Sequence, residues 1–168
     1  DQQVAVTCTD DNAAGITLTE SVGNTTVAEN GGTDTFTVKL NSQPVSDVKL
    51  LVTSGNTAEA TVSPASLTFT SANWNTVQTV TVTGVNDDRA DGNQAYKIIL
   101  AATNSSNSSY NTLNPDDVSL SNTDNDTAGF TISAISGNTT EAGGTAAFTV
   151  KLTSQPTAEV TIPVSSSD

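Results

Sequence analysis

Histidine and methionine are absent from this chain, cysteine occurs once, and 5 lysines and arginines face 18 aspartates and glutamates. Each scarcity closes off a chemistry. A net charge of −13 leaves no basic face to neutralise phosphates, which excludes nucleic acid as a partner. The same charge opposes docking on an anionic membrane. Cys8 has no second cysteine to pair with, and a zinc site without histidine lacks its usual ligands. Cys8 therefore reads as a neutral, structural position. No apolar run approaches the roughly 20 residues of a membrane-spanning helix. Catalysis finds no histidine, no activated cysteine and no nucleophile elbow. Paired carboxylates could hydrolyse glycosides, but 4 Phe, 2 Tyr and 1 Trp are too few to line a sugar cleft. The chain reads as non-enzymatic. With no initiator methionine and no leader pattern, it also reads as a mature or excised segment of something longer.

What is present is threonine, serine and asparagine, set around a regular apolar alternation. In TDTFTVKL, Phe36, Val38 and Leu40 face one way while Thr35, Thr37 and Lys39 face the other. Val80 and Val82 alternate with threonine; Tyr96, Ile98 and Leu100 share a face, as do Val118 and Leu120. Period-two patterning over short β-branched runs, punctuated by Gly, Asn, Ser and Pro, predicts antiparallel strands with one buried face. The fold class expected is all-β, an immunoglobulin-like antiparallel β-sandwich of about seven strands per unit. Trp74, between two such runs, is expected to plug one end of the core.

The chain repeats itself. GITLTESVGNTTVAENGGTDTFTVKLNSQP, from Gly15, returns as GFTISAISGNTTEAGGTAAFTVKLTSQP, from Gly129. The offset is 114 residues at Gly15 and 112 by Glu29, whose counterpart is Glu141. A period this long suits a whole small domain rather than a solenoid turn. DQQVAVTCTDDNAAG aligns with PDDVSLSNTDNDTAG at the same offset of 114, which pairs Cys8 with Asn122. The organisation expected is a tandem array: residues 1–12 as the last strand of a preceding repeat, 13–126 as one complete repeat, and 127–168 as the incomplete start of a following one. In that last part Phe148, Val150, Leu152, Val160 and Ile162 lack partner strands. Missing continuation sequence, or a neighbouring subunit adding a strand in a head-to-tail polymer, would supply them.

The acids cluster: Asp10 and Asp11; Asp87, Asp88 and Asp91; Asp116 and Asp117; Asp124 and Asp126. A merely solvated surface would scatter them. In a sandwich alternate loops emerge at the same end, so the turn holding Glu29, the loop holding Asp87, Asp88 and Asp91, and the tail holding Asp124 and Asp126 can meet. Two unit charges about 4 Å apart repel by roughly 1 kcal/mol in water and about 4 kcal/mol near a protein surface. Arg89 is the only nearby base in the sequence, so a divalent cation is the natural counter-charge. An all-oxygen set in tolerant geometry favours Ca²⁺ over Mg²⁺ and over transition metals. Asn86, Asn93 and Asn125 offer further oxygens. The competing expectation is that these aspartates only cap turns.

The motifs VAENGGTDTFTV, NDDRADGNQAYKIIL and SNTDNDTAG together resemble the Calx-β domain. The resemblance covers 13–126 and both fragments. It implies an immunoglobulin-like sandwich whose Ca²⁺ ligands come from those three elements: Glu29, Asp87, Asp88, Asp91, Asp124 and Asp126. Gln94 stands where the family often has glutamate, Asn125 interrupts the acidic triplet, and Glu59 is at most a weak stand-in for an aspartate near SGNTAEA.

The function expected is a structural repeat of a bacterial cell-surface, adhesin or filament protein, stiffened by Ca²⁺ between domains. Alternatives are a Ca²⁺ sensor, or a carbohydrate- or protein-recognition module using the polar loop 104–117. Tyr110 within that loop is expected to anchor it. Asn24, Asn104, Asn107, Asn125 and Asn138 open N-x-[ST] patterns that such a composition produces by chance.

Overall fold

The computed structural model describes residues 3–9, 11–21 and 25–166, with Thr25 as backbone only. Asp10 of the first acidic cluster and the Asn24 sequon lie outside the described residues. The described chain is all β. Strands β1 (Ile16–Glu20), β3 (Thr33–Leu40), β7 (Gln78–Gly84) and β5 (Ala60–Ser63) form one sheet, in the order β1-β3-β7-β5. The other sheet runs β2-β10-β8-β4-β6, from β2 (Thr25–Ala28), β10 (Val118–Thr123), β8 (Gln94–Leu100), β4 (Val48–Ser54) and β6 (Ser66–Phe69). The two-residue β9 (Asn104–Ser105) extends the edge of β4 that β8 begins. The architecture is an immunoglobulin-like β-sandwich, with ten strands rather than about seven because β2, β5, β6 and β9 are short edge pieces.

The alternating residues make its core. Phe36, Val38, Leu40, Val48, Leu50, Val52, Val80, Val82, Ile98, Leu100 and Val118 are all buried. Fully burying such a side chain is worth about 1.5–3 kcal/mol. Trp74 packs against this core, and its carbonyl accepts the Leu40 N–H.

Pairing directions decide which loops meet. β3 and β7, β7 and β5, and β8 and β10 are antiparallel, whereas β2 runs parallel to β10. The ends of β2, β7 and β10 and the starts of β3, β5 and β8 therefore share one pole, where the chain leaves the sandwich. β1 is antiparallel to β3, so the chain enters at the opposite pole, beside the β3–β4 turn at Ser42–Gln43.

At the entry pole the loop after β8 folds back on a buried tyrosine. Tyr110 Oη donates to the Ser42 carbonyl (2.7 Å) and accepts from Ser42 N–H (3.0 Å), with Ser42 Oγ at 2.9 Å. Thr103 Oγ1 bonds the carbonyls of Tyr110 and Leu113. The loop is thus ordered around Tyr110 rather than simply solvated. Asn107 is only 9 % exposed, so that sequon is shielded, whereas Asn104 and Asn138 are exposed.

Two segments stand apart. Residues 3–9 form no strand, and Val4 and Val6 are exposed. The strand expected there is not formed: as the last strand of a preceding repeat it would pair with that repeat's counterparts of β2 and β8, which this sequence does not include. After β10, β11 (Phe130–Ile132) and β12 (Val150–Leu152) pair alone, Phe130 with Leu152 and Ile132 with Val150. β1 and β3 pair in the same register, Ile16 with Leu40 and Leu18 with Val38. Phe130, Ile132, Phe148, Val150, Val160 and Ile162 remain exposed.

Tyr110→Phe would leave the buried Ser42 amide and carbonyl unpaired. We expect a loss of about 1–3 kcal/mol, read from the urea midpoint, with little change in slope; a change below about 0.5 kcal/mol would show that the anchor is dispensable.

Candidate metal centre

The exit pole is built on the parallel pair β2–β10. Thr123 stands opposite Ala28, and the Glu29 N–H donates to the Thr123 carbonyl at 3.1 Å. The chain then turns at once: Gly31 N–H donates to Glu29 O, Gly32 N–H to Ala28 O, and Gly31 takes φ of 84°, which glycine adopts without penalty. The end of β7 passes so close that a Cβ on Gly84 would lie 2.2 Å from the Ala28 carbonyl oxygen. Glycine at 84 is what lets the loop after β7 reach this turn.

Glu29, Asp124 and Asp126 each offer a carboxylate oxygen within 4.8 Å of the other two. Glu29 is 2 % exposed, and both aspartates are half-buried. Asn125 N–H donates to Glu29 Oε2 at 3.3 Å. Asp124 is held at both oxygens, by Gly92 N–H and Asp126 N–H, each at 2.6 Å. Oδ2 of Asp126 is buried and has no hydrogen-bond partner among the described residues.

The electrostatics are one-sided. Burial pushes the Glu29 carboxyl up, and the charges of Asp124, Asp87 and Glu59 push it further, against the Asn125 N–H that lowers it. Asp126 is raised by desolvation and by Asp124, Asp88 and Asp87. No base acts on either group. Of the six residues singled out in the sequence, Glu29, Asp124 and Asp126 come within 4.8 Å of one another, while Asp87 and Asp88 lie in the β7–β8 loop, where both act on Asp126 and Asp87 also on Glu29. Asp91 is exposed in the same loop, and its carbonyl accepts from Gln94 Nε2. The asparagines act as scaffolding. Asn93 Oδ1 accepts the Asp124 N–H, and Asn86 Oδ1 accepts from Asn125 Nδ2.

Two further buried polar residues belong to this pole. Glu59 is 8 % exposed, and Asn122 is fully buried beneath the cluster. Asn122 Nδ2 donates to the Glu59 carbonyl (3.0 Å), Glu59 Oε2 (3.1 Å) and the Val85 carbonyl (3.3 Å). This joins the starts of β5 and the β7–β8 loop to β10. Desolvation first, and Glu59 second, pushes the Tyr96 hydroxyl up to about 12. The available signal was register: Asn122 falls on the same face of β10 as Val118 and Leu120.

Chemically, the pole presents hard anionic oxygens, one of them buried and without a hydrogen-bond partner among the described residues. Buried charges are normally paired or bind metal. The donor set fits a hard divalent cation that takes oxygen ligands.

No protein-family model and no curated protein matches the chain. Among solved structures it is similar to the periplasmic chaperone SfaE, at 12 % identity and a TM-score of 0.49, covering 66 % of this chain and 58 % of that one. The apo form of the Calx CBD1 domain matches at 18 % identity and a TM-score of 0.46, over 67 % of this chain and 97 % of that one. The PapD-like domain 7 of human CEP192 matches at 16 % identity and a TM-score of 0.45, over 75 % and 96 % respectively.

Glu29 and Asp126 hold protons to higher pH in the folded state than their ordinary values of 4.5 and 3.8. Folding takes up protons above those values, so their contribution to stability falls as pH rises through that range. Asp34 runs the other way. Despite desolvation it is lowered by the Ser21 hydroxyl and the Thr35 and Thr26 N–H groups, and its contribution is lost as pH falls below 3.8. In chelator we therefore expect the urea midpoint to fall as pH rises above 4.5, and Glu29→Gln should raise the pH 7 value. A wild-type midpoint lower at pH 5 than at pH 7 would contradict the charge assignment.

Proposed function

We propose that this chain is a non-enzymatic structural segment of a bacterial cell-surface, adhesin or filament protein, whose repeats are stiffened by Ca²⁺ at the pole where one ends and the next begins. The observation that carries the reading is the Asp126 carboxylate, with one oxygen buried and unpartnered beside Glu29 and Asp124. Those three residues would hold the ion, and Asp87 and Asp88, whose charges reach the same groups, would complete its shell. A cation there supplies counter-charge and ties the β2–β3 turn, the β7–β8 loop and the tail of β10 into one body. Without it, the tail leading to β11 carries a bend-prone junction.

The repeat organisation, 13–126 followed by the beginning of another unit, is supported by the matched registers of β1–β3 and β11–β12. Exposed Phe130, Ile132, Phe148 and Val150 support completion of the second sheet by further strands, from continuing chain or from a neighbouring copy. Among the described residues no helix is long and apolar enough to cross a membrane.

At a dissociation constant of about 10⁻⁴ M, usual for extracellular modules, 10 mM calcium is about 100-fold in excess and stabilises by about 2.7 kcal/mol per site. For a unit of this size that is roughly 10 °C in melting temperature. We expect this shift in wild type and its loss in Asp126→Asn. Equal melting with calcium and with chelator would reject the reading, and micromolar affinity by calorimetry would favour a sensor over a stiffener.

A further inference from the structure

The exit pole does not end at its own carboxylates. The chain enters a unit beside its Ser-Gln-Pro turn and leaves among its aspartates, so in a string of such units each Ser-Gln-Pro turn faces the aspartate loop of the unit before it. One such meeting is present in this chain. The Gln155 N–H donates to the Asp88 carbonyl at 2.6 Å. Ala90, from the same loop, helps line a cavity of about 360 Å³ with Ala128, Gly129, Phe130, Leu152 and Gln155.

The second turn is built like the first. Thr153 N–H closes on the Gly129 carbonyl at 2.9 Å, as Asn41 N–H closes on the Gly15 carbonyl at 2.9 Å. The cavity at the sandwich's own entry pole, about 440 Å³, is lined by Ala14, Ser42, Gln43 and Val45, the sequence counterparts of Ala128, Ser154, Gln155 and Thr157. No acidic side chain lines that entry-pole cavity; at the joint itself Glu159 lines the cavity, and Lys151 lines the adjoining hollow together with Asp88 and Gln155.

We propose that the Ser-Gln-Pro turn is the docking element of the joint: it receives, through the glutamine backbone N–H, the aspartate-bearing loop of the preceding unit. The partner of the 154–156 turn is the 86–91 loop. The contact needs no ion, but it rests on the metal reading for its consequence. Asp87 and Asp88 belong both to the loop that docks and to the charges around Asp126, so ordering that loop fixes the next unit's orientation. Gln43 serves as an internal control, since it occupies the equivalent turn at the pole away from the 86–91 loop.

The test is amide hydrogen exchange on the intact chain in 10 mM calcium, followed by NMR, together with the variant Gln155→Pro, which removes the donor. The Gln155 amide should exchange at least about 10-fold more slowly than the Gln43 amide, whose flanking Ser and Pro are the same. In Gln155→Pro, residues 127–166 should tumble independently of the sandwich, while the calcium-induced melting shift of the sandwich stays at the wild-type value. Equal exchange at Gln43 and Gln155, or unchanged tumbling in the proline variant, overturns the docking assignment. A slow Gln155 amide in a protein whose melting ignores calcium would uphold docking and remove the metal reading instead.

Discussion

Uncompensated negative charge at the exit pole is the constraint around which this molecule is arranged. Glu29 is nearly inaccessible to water, Asp124 and Asp126 sit against it, and Asp87, Asp88 and Glu59 add to the same field. Burying such groups is expensive unless each finds a donor or a cation. The backbone supplies some donors: Asn125 N–H for Glu29, and Gly92 and Asp126 N–H for Asp124. It supplies none for Asp126 Oδ2 among the described residues. The sandwich below is ordinary by comparison, a dry apolar core that holds the pole in place. Its stability and the pole's electrostatics oppose one another.

That opposition gives the topology a purpose. The parallel β2–β10 pair places the Glu29 turn and the β10 tail side by side, where an all-antiparallel edge would have sent them to opposite ends. Gly84 lets β7 finish against the same turn, and Asn122 stitches β5, β10 and the loop after β7 beneath it. The chain then leaves through the tail of β10. Whatever fixes the pole also fixes the direction in which the next segment departs.

The strands were legible because their buried residues alternate without interruption. Phe36-Val38-Leu40 and Ile98-Leu100 could occupy only one face of a half-buried sheet. The convergence of Glu29 with Asp124 and Asp126 was legible too, since loop order in a sandwich dictates which ends meet. Other features were hidden by chemistry that sequence does not label. Asn122 looked neutral because a buried amide in an apolar register is identified only by the groups it bonds. Glu59 looked like a poor substitute for aspartate, yet it lies under the cluster. The Gly92 N–H, one residue past Asp91, donates to Asp124, a contact no side-chain pattern labels. Asn86 and Asn93 looked like spare oxygens, and those oxygens are used inside the protein. The strand expected in residues 3–9 would need the preceding repeat's counterparts of β2 and β8, which this sequence does not include.

The most direct measurement is anomalous diffraction from crystals grown in calcium. The account predicts a peak 2.3–2.6 Å from carboxylate oxygens of Glu29, Asp124 and Asp126, the usual range for calcium–oxygen bonds. A well-ordered pole with no peak, its carboxyls sharing protons or turned to bulk water, would contradict it.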